Sequence, residues 1–130
     1  VLILIAFISL IVAGVNIANT MYASVLERTK DIGVMKAIGA KNSNILLMFA
    51  LESGLLSLIG GALAVVVGTA ISIFAGKIVE SAGFGFLQPA LPVGLYLGCL
   101  FFSLFIGIVS GIMPAYRASK MKPVDALRYE

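Results

Sequence analysis

The sequence predicts an all-helical integral membrane protein: three transmembrane helices, an amphipathic cytoplasmic helix between the first and the second, and a short cytoplasmic helix at the C-terminus. Its 130 residues are 61% hydrophobic and 12% charged, whereas soluble domains are about half apolar and a quarter charged. The mean hydropathy is +1.13. Most of the surface is therefore expected to face lipid.

Three charge-free runs define the predicted spans, at residues 1–26, 53–76 and 81–116. Each exceeds the ~20 residues that cross ~30 Å of hydrocarbon as a helix. Glycines and prolines interrupt the start of the third run, so its helix is predicted to begin near Val93. The transmembrane helices are expected over about 1–25, 43–76 and 93–116, with an outer connection over 77–92 and a cytoplasmic tail over 117–130.

Charge gives the predicted bundle a direction. Lys77 alone lies in the outer connection, and the other basic residues lie on the opposite side: Arg28, Lys30, Lys36, Lys41, Arg117, Lys120, Lys122 and Arg128. By the positive-inside rule that side is cytoplasmic, and three spans then place Val1 outside. Since the chain begins without Met inside an apolar run, we expect a fragment whose preceding part connects from outside.

Small residues recur every four positions in two of the spans. The rows are Gly60, Ala64, Gly68, Ser72 and Gly76 in the second span, and Ser103, Gly107, Gly111 and Ala115 in the third. Such rows allow helix backbones to approach closely in lipid. They are predicted to be helix-packing surfaces, either within the bundle or, for one row, as a dimer seam or sliding surface.

Polar residues in the first span form a second pattern. Asn16, Thr20 and Ser24 share one face, with Asn19 beside them. Unpaired amides are costly in lipid, so these side chains are expected to face another helix or a wet cavity. Interhelical hydrogen bonds are favoured over a substrate pathway.

Glu52 has the sequence position of an intramembrane carboxylate, which by default suggests a proton or ion site. Counting back from Lys77, however, places it ~37 Å away along the helix, at the inner boundary of the ~30 Å core. An interfacial ion pair with Arg28 or Arg117 is therefore favoured over a proton relay. The same count predicts a stalk-like helix that begins in the cytoplasm, with Asn42 or Ser43 as its N-cap.

The connection over residues 27–40 is predicted to be an amphipathic helix. Ile32, Met35 and Ile38 recur at helical spacing, with charged residues elsewhere around the helix. Two interpretations are equally supported by the residues. The helix lies on anionic lipid, or it inserts into a groove on a soluble partner.

Several kinds of chemistry are excluded by the residues that the chain contains. It has no histidine, one cysteine (Cys99) and no phosphate-binding loop, so no catalytic, cofactor-binding or metal-ligating set is predicted. We expect a membrane component that is not an enzyme.

Four motifs together resemble one family, the ABC-transporter permeases of the MacB and FtsX superfamily, which includes the lipoprotein-releasing permeases. They cover the chain from end to end and lie at residues 27–40, Glu52–Ser53, 114–119 and 123–130. The resemblance implies an FtsX-like permease domain over 1–130, holding the last three of four transmembrane helices. It also implies a first helix and an extracytoplasmic domain upstream.

The resemblance further implies a coupling helix that docks on a cytoplasmic ABC ATP-binding subunit or domain, where ATP and Mg are bound. Its residues would be Glu27, Arg28, Asp31, Ile32, Gly33, Met35, Lys36, Ala37, Gly39 and Ala40. The expected role is that of a permease in a prokaryotic cell membrane. It would pair with a second copy or with a related permease, and no nucleic acid partner is expected. ATP hydrolysis would drive export, extraction or mechanotransmission.

Two other functions compete with that expectation. A cell-division-type regulatory scaffold would activate a cell-wall hydrolase and move no substrate. A channel or secondary transporter fragment would show midplane charges and an inverted repeat, which are not apparent. In the tail, Lys120 and Lys122 are expected to anchor on anionic lipid, with residues 125–130 alternatively touching the ATPase.

Overall fold

The computed structural model describes residues 1–83 and 92–122, which form four helices. These are α1 (Leu2–Glu27), α2 (Thr29–Ala37), α3 (Asn42–Ser81) and α4 (Val93–Ser119). Helices α1, α3 and α4 are long and apolar enough to cross a membrane, with hydropathies of 2.3, 2.3 and 2.2 over their most apolar windows. The prediction of an all-helical fold with three spans is confirmed. The predicted C-terminal helix and half of the outer connection, residues 84–91, lie outside the described residues.

Helices α1 and α2 are separated by one residue, Arg28. The hydroxyl of Thr29 turns back onto α1 and donates to the carbonyls of Val25 and Leu26, at 3.1 and 2.8 Å. These carbonyls lie in the last turn of α1, where backbone acceptors lack helical partners. The end of α1 is therefore stabilised by the first residue of α2.

Helix α3 is 40 residues long, about 60 Å, or roughly twice the hydrocarbon thickness. The prediction that Asn42 or Ser43 caps it is wrong. Lys41 has the cap conformation (φ −73°, ψ 149°), without a side-chain cap bond, and its carbonyl accepts from the Asn44 and Ile45 amides. The helix continues to Ser81, beyond the predicted end at residue 76, and Gly83 follows with the left-handed φ of +92°.

Helix α4 is the one on which α1 and α3 pack. It lies along α3 for much of its length, and α1 packs on α4 far more than on α3. The buried core is confined to the end of the bundle where α2 lies, here called the α2 end. Its members come from all four helices: Met21, Val25, Ile32, Ile45, Phe49, Ala115 and Ala118.

Candidate functional site

Serines and glycines carry the closest contact between α3 and α4, here called the seam: Ser53, Ser57 and Gly61 on α3, and Ser103, Gly107 and Gly111 on α4. Ser57 Oγ donates to the Ser103 carbonyl at 2.7 Å, and Ser103 Oγ donates to the Ser57 carbonyl. A methyl group added at Gly107 or Gly111 would collide with Ser57 or Ser53. The seam therefore combines close backbone approach with reciprocal hydrogen bonds, both of which favour helix association in lipid.

The α4 row of small residues faces this seam, whereas the predicted α3 row does not. Gly60 and Gly68 have no neighbour within 4 Å of an added Cβ among the described residues, and Ala64 is exposed. Ser72 and Gly76, farther along the row, are half-buried. The α3 side of the seam is the adjacent row, Ser53, Ser57 and Gly61. That row has the same four-residue spacing, rotated by one residue, and its Ser57 hydroxyl supplies one of the two hydrogen bonds across the seam.

Helix α2 turns part of its predicted coupling surface towards the bundle. Ile32 is fully buried, Gly33 is buried, and Met35 packs on the core. In contrast, Ile38 is 81% exposed just after the end of the helix. The predicted apolar stripe is thus divided: two of its residues hold α2 in place and the third faces outwards.

Lys36 joins α2 to the end of α4. Its Nζ donates to the carbonyls of Ser119 and Met121, at 2.5 and 2.6 Å. Ser119 is the last residue of α4 and Met121 lies just beyond it, at a helix end where a cation also interacts favourably with the helix dipole. The Lys36 charge is therefore engaged inside the bundle, a role that its sequence position did not indicate.

Gly39 and Ala40 terminate α2. Gly39 has φ +100°, and the Ala40 and Gly39 amides donate back to the Met35 and Lys36 carbonyls, at 2.9 and 3.0 Å. This bonding pattern is a Schellman motif, in which glycine takes the left-handed position without steric cost. Gly39 thus has a conformational role in addition to the docking role expected from the sequence.

The outward face of α2 carries five exposed residues of mixed character, here called the docking face. They are Lys30, Asp31, Val34, Ala37 and Ile38. Val34 and Ile38 are 48% and 81% exposed. Val34 was not among the residues predicted from the sequence. Its position two residues after Ile32, and therefore on the opposite side of the helix, is the signal that would have identified it.

Glu52 forms an ion pair with Arg28, one of the two partners considered from the sequence. Their closest oxygen and nitrogen atoms are 3.4 Å apart, and the side chains are 34% and 47% exposed. Arg28 is the residue between α1 and α2, so the pair connects this junction to α3. Arg28 and Glu27 both remain exposed beside the docking face.

Exchanging the two charges is expected to preserve this contact. Because the pair is half-exposed, Arg28→Glu alone should lower the unfolding free energy by only about 1 kcal/mol, through repulsion between two carboxylates. The double variant Arg28→Glu, Glu52→Arg should recover most of that loss. Thermal unfolding in neutral detergent measures both. Equal stability of the single and double variants would show that the pair contributes nothing.

The polar stripe of α1 makes no interhelical hydrogen bond within the described residues. Asn16 and Asn19 are exposed, and the Thr20 hydroxyl donates to the Asn16 carbonyl of its own helix, at 2.9 Å. Asn19 instead borders a cavity between α1 and α4, whose other lining includes Tyr22 and Arg117. The structure therefore places an amide in a cavity, the other location considered from the sequence.

Comparison with known proteins identifies the family. The sequence profile described as "FtsX-like permease C-terminal" matches residues 3–123. The chain is 47% identical over 126 residues to a macrolide export ATP-binding/permease protein MacB of Bdellovibrio bacteriovorus, covering 97% of this chain and 18% of that protein. It is 40% identical to an uncharacterized ABC transporter permease of Methanocaldococcus jannaschii, over 97% of this chain and 32% of that protein.

A third relative is the uncharacterized ABC transporter permease YknZ of Bacillus subtilis, 41% identical over 97% of this chain and 30% of that protein. The chain thus spans about a third or less of the length of these curated relatives. Its three membrane-spanning helices agree with a multi-pass membrane protein. The chain belongs to the family of FtsX-like permease C-terminal domains of ABC transporters.

Proposed function

We propose that this chain is the non-catalytic membrane part of an ABC transporter, which couples ATP hydrolysis on a cytoplasmic ATP-binding subunit or domain to work outside the cytoplasm. That work is export, extraction or mechanotransmission, carried out by a permease dimer. ATP and Mg would be bound by the partner. The family membership supports the permease role. The observation that carries the coupling role is the docking face of α2, an exposed surface of apolar and charged residues on a helix whose other side is buried in the core.

The apolar part of the docking face favours a protein partner. Ile38 is 81% exposed at the α2 end, outside the apolar segments of α1 and α3. Burying such a side chain contributes about 1.5–3 kcal/mol. The small residue Ala37 precedes Ile38, and charges of both signs, Lys30 and Asp31, lie on the same face. Mixed charge beside an apolar anchor suits a protein groove, whereas a helix lying on lipid is rich in basic residues on its polar face.

Basic residues support a cytoplasmic location for the α2 end. Lys30 lies in α2 and Lys41 just after it, and Arg117, Lys120 and Lys122 lie at or beyond the end of α4. By the positive-inside rule this end faces the cytoplasm, where an ATP-binding partner would be. The tail beyond residue 122 follows the same end of α4 and is proposed to be cytoplasmic as well.

Lys36 gives the docking helix a mechanical connection. Because its ammonium holds the Ser119 and Met121 carbonyls, a force applied to α2 is passed to α4. Helix α4 in turn contacts α3 along the seam and also supports α1. We therefore propose that the coupling helix moves the bundle through α4. The ion pair of Arg28 and Glu52 adds a second, weaker connection to α3.

The docking proposal is tested by Ile38→Ser in the full-length permease, reconstituted in nanodiscs with its ATP-binding partner. Loss of the buried isoleucine should weaken the affinity between permease and ATPase by about tenfold or more. Stimulated ATP turnover should fall in parallel, while the thermal stability of the permease stays unchanged. Binding is measured by titration of the ATPase and turnover by phosphate release.

Ile78→Ser is the matched control, since Ile78 is also exposed (58%) but lies near the opposite end of α3. It should change neither affinity nor turnover. If Ile38→Ser bound and stimulated the ATPase as the parent does, the docking face would not be the coupling surface. Equal losses in both variants would argue for a general effect of polar substitutions instead.

A further inference from the structure

We propose that the cavity between α1 and α4 at the α2 end binds the headgroup of an anionic phospholipid. The cavity measures about 220 Å³ and is lined by Ala18, Asn19, Tyr22, Met113, Pro114 and Arg117. It is here called the Arg117 pocket. Its volume exceeds the ~30 Å³ share of a single water severalfold. The proposal concerns lipid recognition and does not depend on ATPase docking.

Charge identifies the class of ligand. Arg117 is one of two cations that pair with tyrosine rings here: its Cζ lies 5.9 Å from the Tyr22 ring centroid, and Lys120 Nζ lies 4.5 Å from that of Tyr116. Within residues 1–83 and 92–122, the salt bridge between Arg28 and Glu52 is the only one. Neither Arg117 nor Lys120 is therefore paired with a carboxylate in that part of the chain. A guanidinium without an acidic partner among the described residues matches a phosphate, which it binds in bidentate geometry.

The location identifies a lipid as the source of the phosphate. Arg117 lies three residues after Pro114 in the last turns of α4, where the apolar span meets the basic end. Tyrosines concentrate at this level of a membrane protein, and basic pockets between helices on the cytoplasmic side bind anionic headgroups. Met113, on the cavity wall, is 67% exposed, which provides an apolar surface for an acyl chain.

Asn19 supplies the second argument for a lipid. It lies eight residues before the end of α1, or about 12 Å into the span, and none of the side-chain hydrogen bonds of the described residues involves its amide. An amide in hydrocarbon needs a partner. The ester carbonyls of a phospholipid lie deeper than its phosphate. When the phosphate lies at Arg117 and Tyr22, these carbonyls can accept a hydrogen bond from the Asn19 amide. A free phosphate ion has no such second acceptor group.

The test titrates the full-length permease, purified in neutral detergent, with phosphatidylglycerol or phosphatidylcholine and counts bound lipids by native mass spectrometry. Phosphatidylglycerol should bind in preference. Arg117→Gln should weaken that binding about fivefold, the factor that corresponds to about 1 kcal/mol per cation facing an anionic lipid. Lys122→Gln, which removes the same charge at the same end but outside the pocket, should change it less than twofold.

Asn19→Leu provides a second variant in case Arg117→Gln does not fold, and it should also weaken phosphatidylglycerol binding. If Arg117→Gln and Lys122→Gln weakened phosphatidylglycerol binding equally, the lipid would be attracted by the overall surface charge. That result would overturn the proposal. Displacement of the lipid by millimolar inorganic phosphate would overturn it in favour of a simple anion site. Efficient disulfide cross-linking between two permease copies at Asn19→Cys would assign this surface to a protein interface instead.

Discussion

Replacing Gly107 by alanine is expected to disrupt the seam between α3 and α4. The new methyl group would lie 2.8 Å from the Ser53 carbonyl oxygen and closer still to the Ser57 side chain. The first of these is a backbone atom of the facing helix, so relief requires the helices to separate. Overpacking of this kind costs about 1–3 kcal/mol, and separation would also strain the hydrogen bonds between Ser57 and Ser103. Thermal or SDS-induced unfolding of the purified permease measures the loss.

Gly60→Ala is the matched control, because an added Cβ at Gly60 meets nothing within 4 Å in the described chain. Alanine is a better helix former than glycine by about 0.5–1 kcal/mol, so this variant should be equally or slightly more stable. Both variants replace glycine by alanine, Gly107→Ala on α4 and Gly60→Ala on α3. The first is expected to lower the stability, and the second to leave it equal or raise it slightly. If Gly107→Ala were as stable as Gly60→Ala, the helices would not be in close contact at the seam.

Lys36→Met is expected to separate docking from transmission. Methionine keeps the apolar stem of the side chain but removes the donor that holds the Ser119 and Met121 carbonyls. Hydrogen bonds from a charged donor contribute about 1.5–3 kcal/mol, less here because Lys36 is only half-buried. Hydrogen exchange should accelerate in α2 and in residues 116–121. Stimulated ATP turnover should fall by about fivefold or more, while affinity for the ATPase is retained.

Retained affinity is what distinguishes Lys36→Met from Ile38→Ser, which should lose binding itself. Lys30→Met is the control, since Lys30 is an exposed lysine on the same helix and makes no hydrogen bond within the described residues. It should leave hydrogen exchange unchanged. Lys36→Met with unchanged exchange at the end of α4 would show that the connection between α2 and α4 does not depend on this ammonium.

Hydropathy and helix-breaking residues were sufficient to predict the three spans. Charge-free runs longer than a bilayer crossing allow few alternatives to a helix, and the prolines before Val93 locate the start of α4. The extent of α3 was less predictable. Its predicted end at residue 76 rests on the charge-free run that stops before Lys77, whereas the helix continues through Lys77 to Ser81.

The small residues that form the seam could not be identified from the sequence, for a geometric reason. Two rows with four-residue spacing lie one position apart on α3, one containing Gly60 and the other Gly61. Backbone approach alone does not distinguish them. The hydroxyls of Ser53 and Ser57 belong to the second row, and their contribution depends on facing Ser103 and the glycines of α4. These contacts depend on how α3 and α4 pack in the tertiary structure.

The division of α2 into a buried and an exposed side was also only partly predictable. A period near 3.6 identifies a helix, but a nine-residue helix has too few turns for periodicity to say which apolar residue faces the bundle. Ile32 lies within α2 and is buried, whereas Ile38 follows the last residue of α2 and is exposed, immediately before the Schellman motif at Gly39. The Gly39–Ala40 pair is a recognisable helix stop, and it indicates such an ending.

The dependence of the bundle on α4 has a consequence for biosynthesis. Helices α1, α2 and α3 emerge from the ribosome first, yet α4 supplies the Gly107 and Gly111 side of the seam and part of the buried core. At ~5–20 residues per second, the 38 residues that follow Ser81 up to and including Ser119 take ~2–8 s to synthesise. During that interval the nascent helices lie in the membrane without their main packing partner. The interval exposes Ser53 and Ser57, which α4 covers in the folded bundle, to insertion chaperones or to premature association with neighbouring chains.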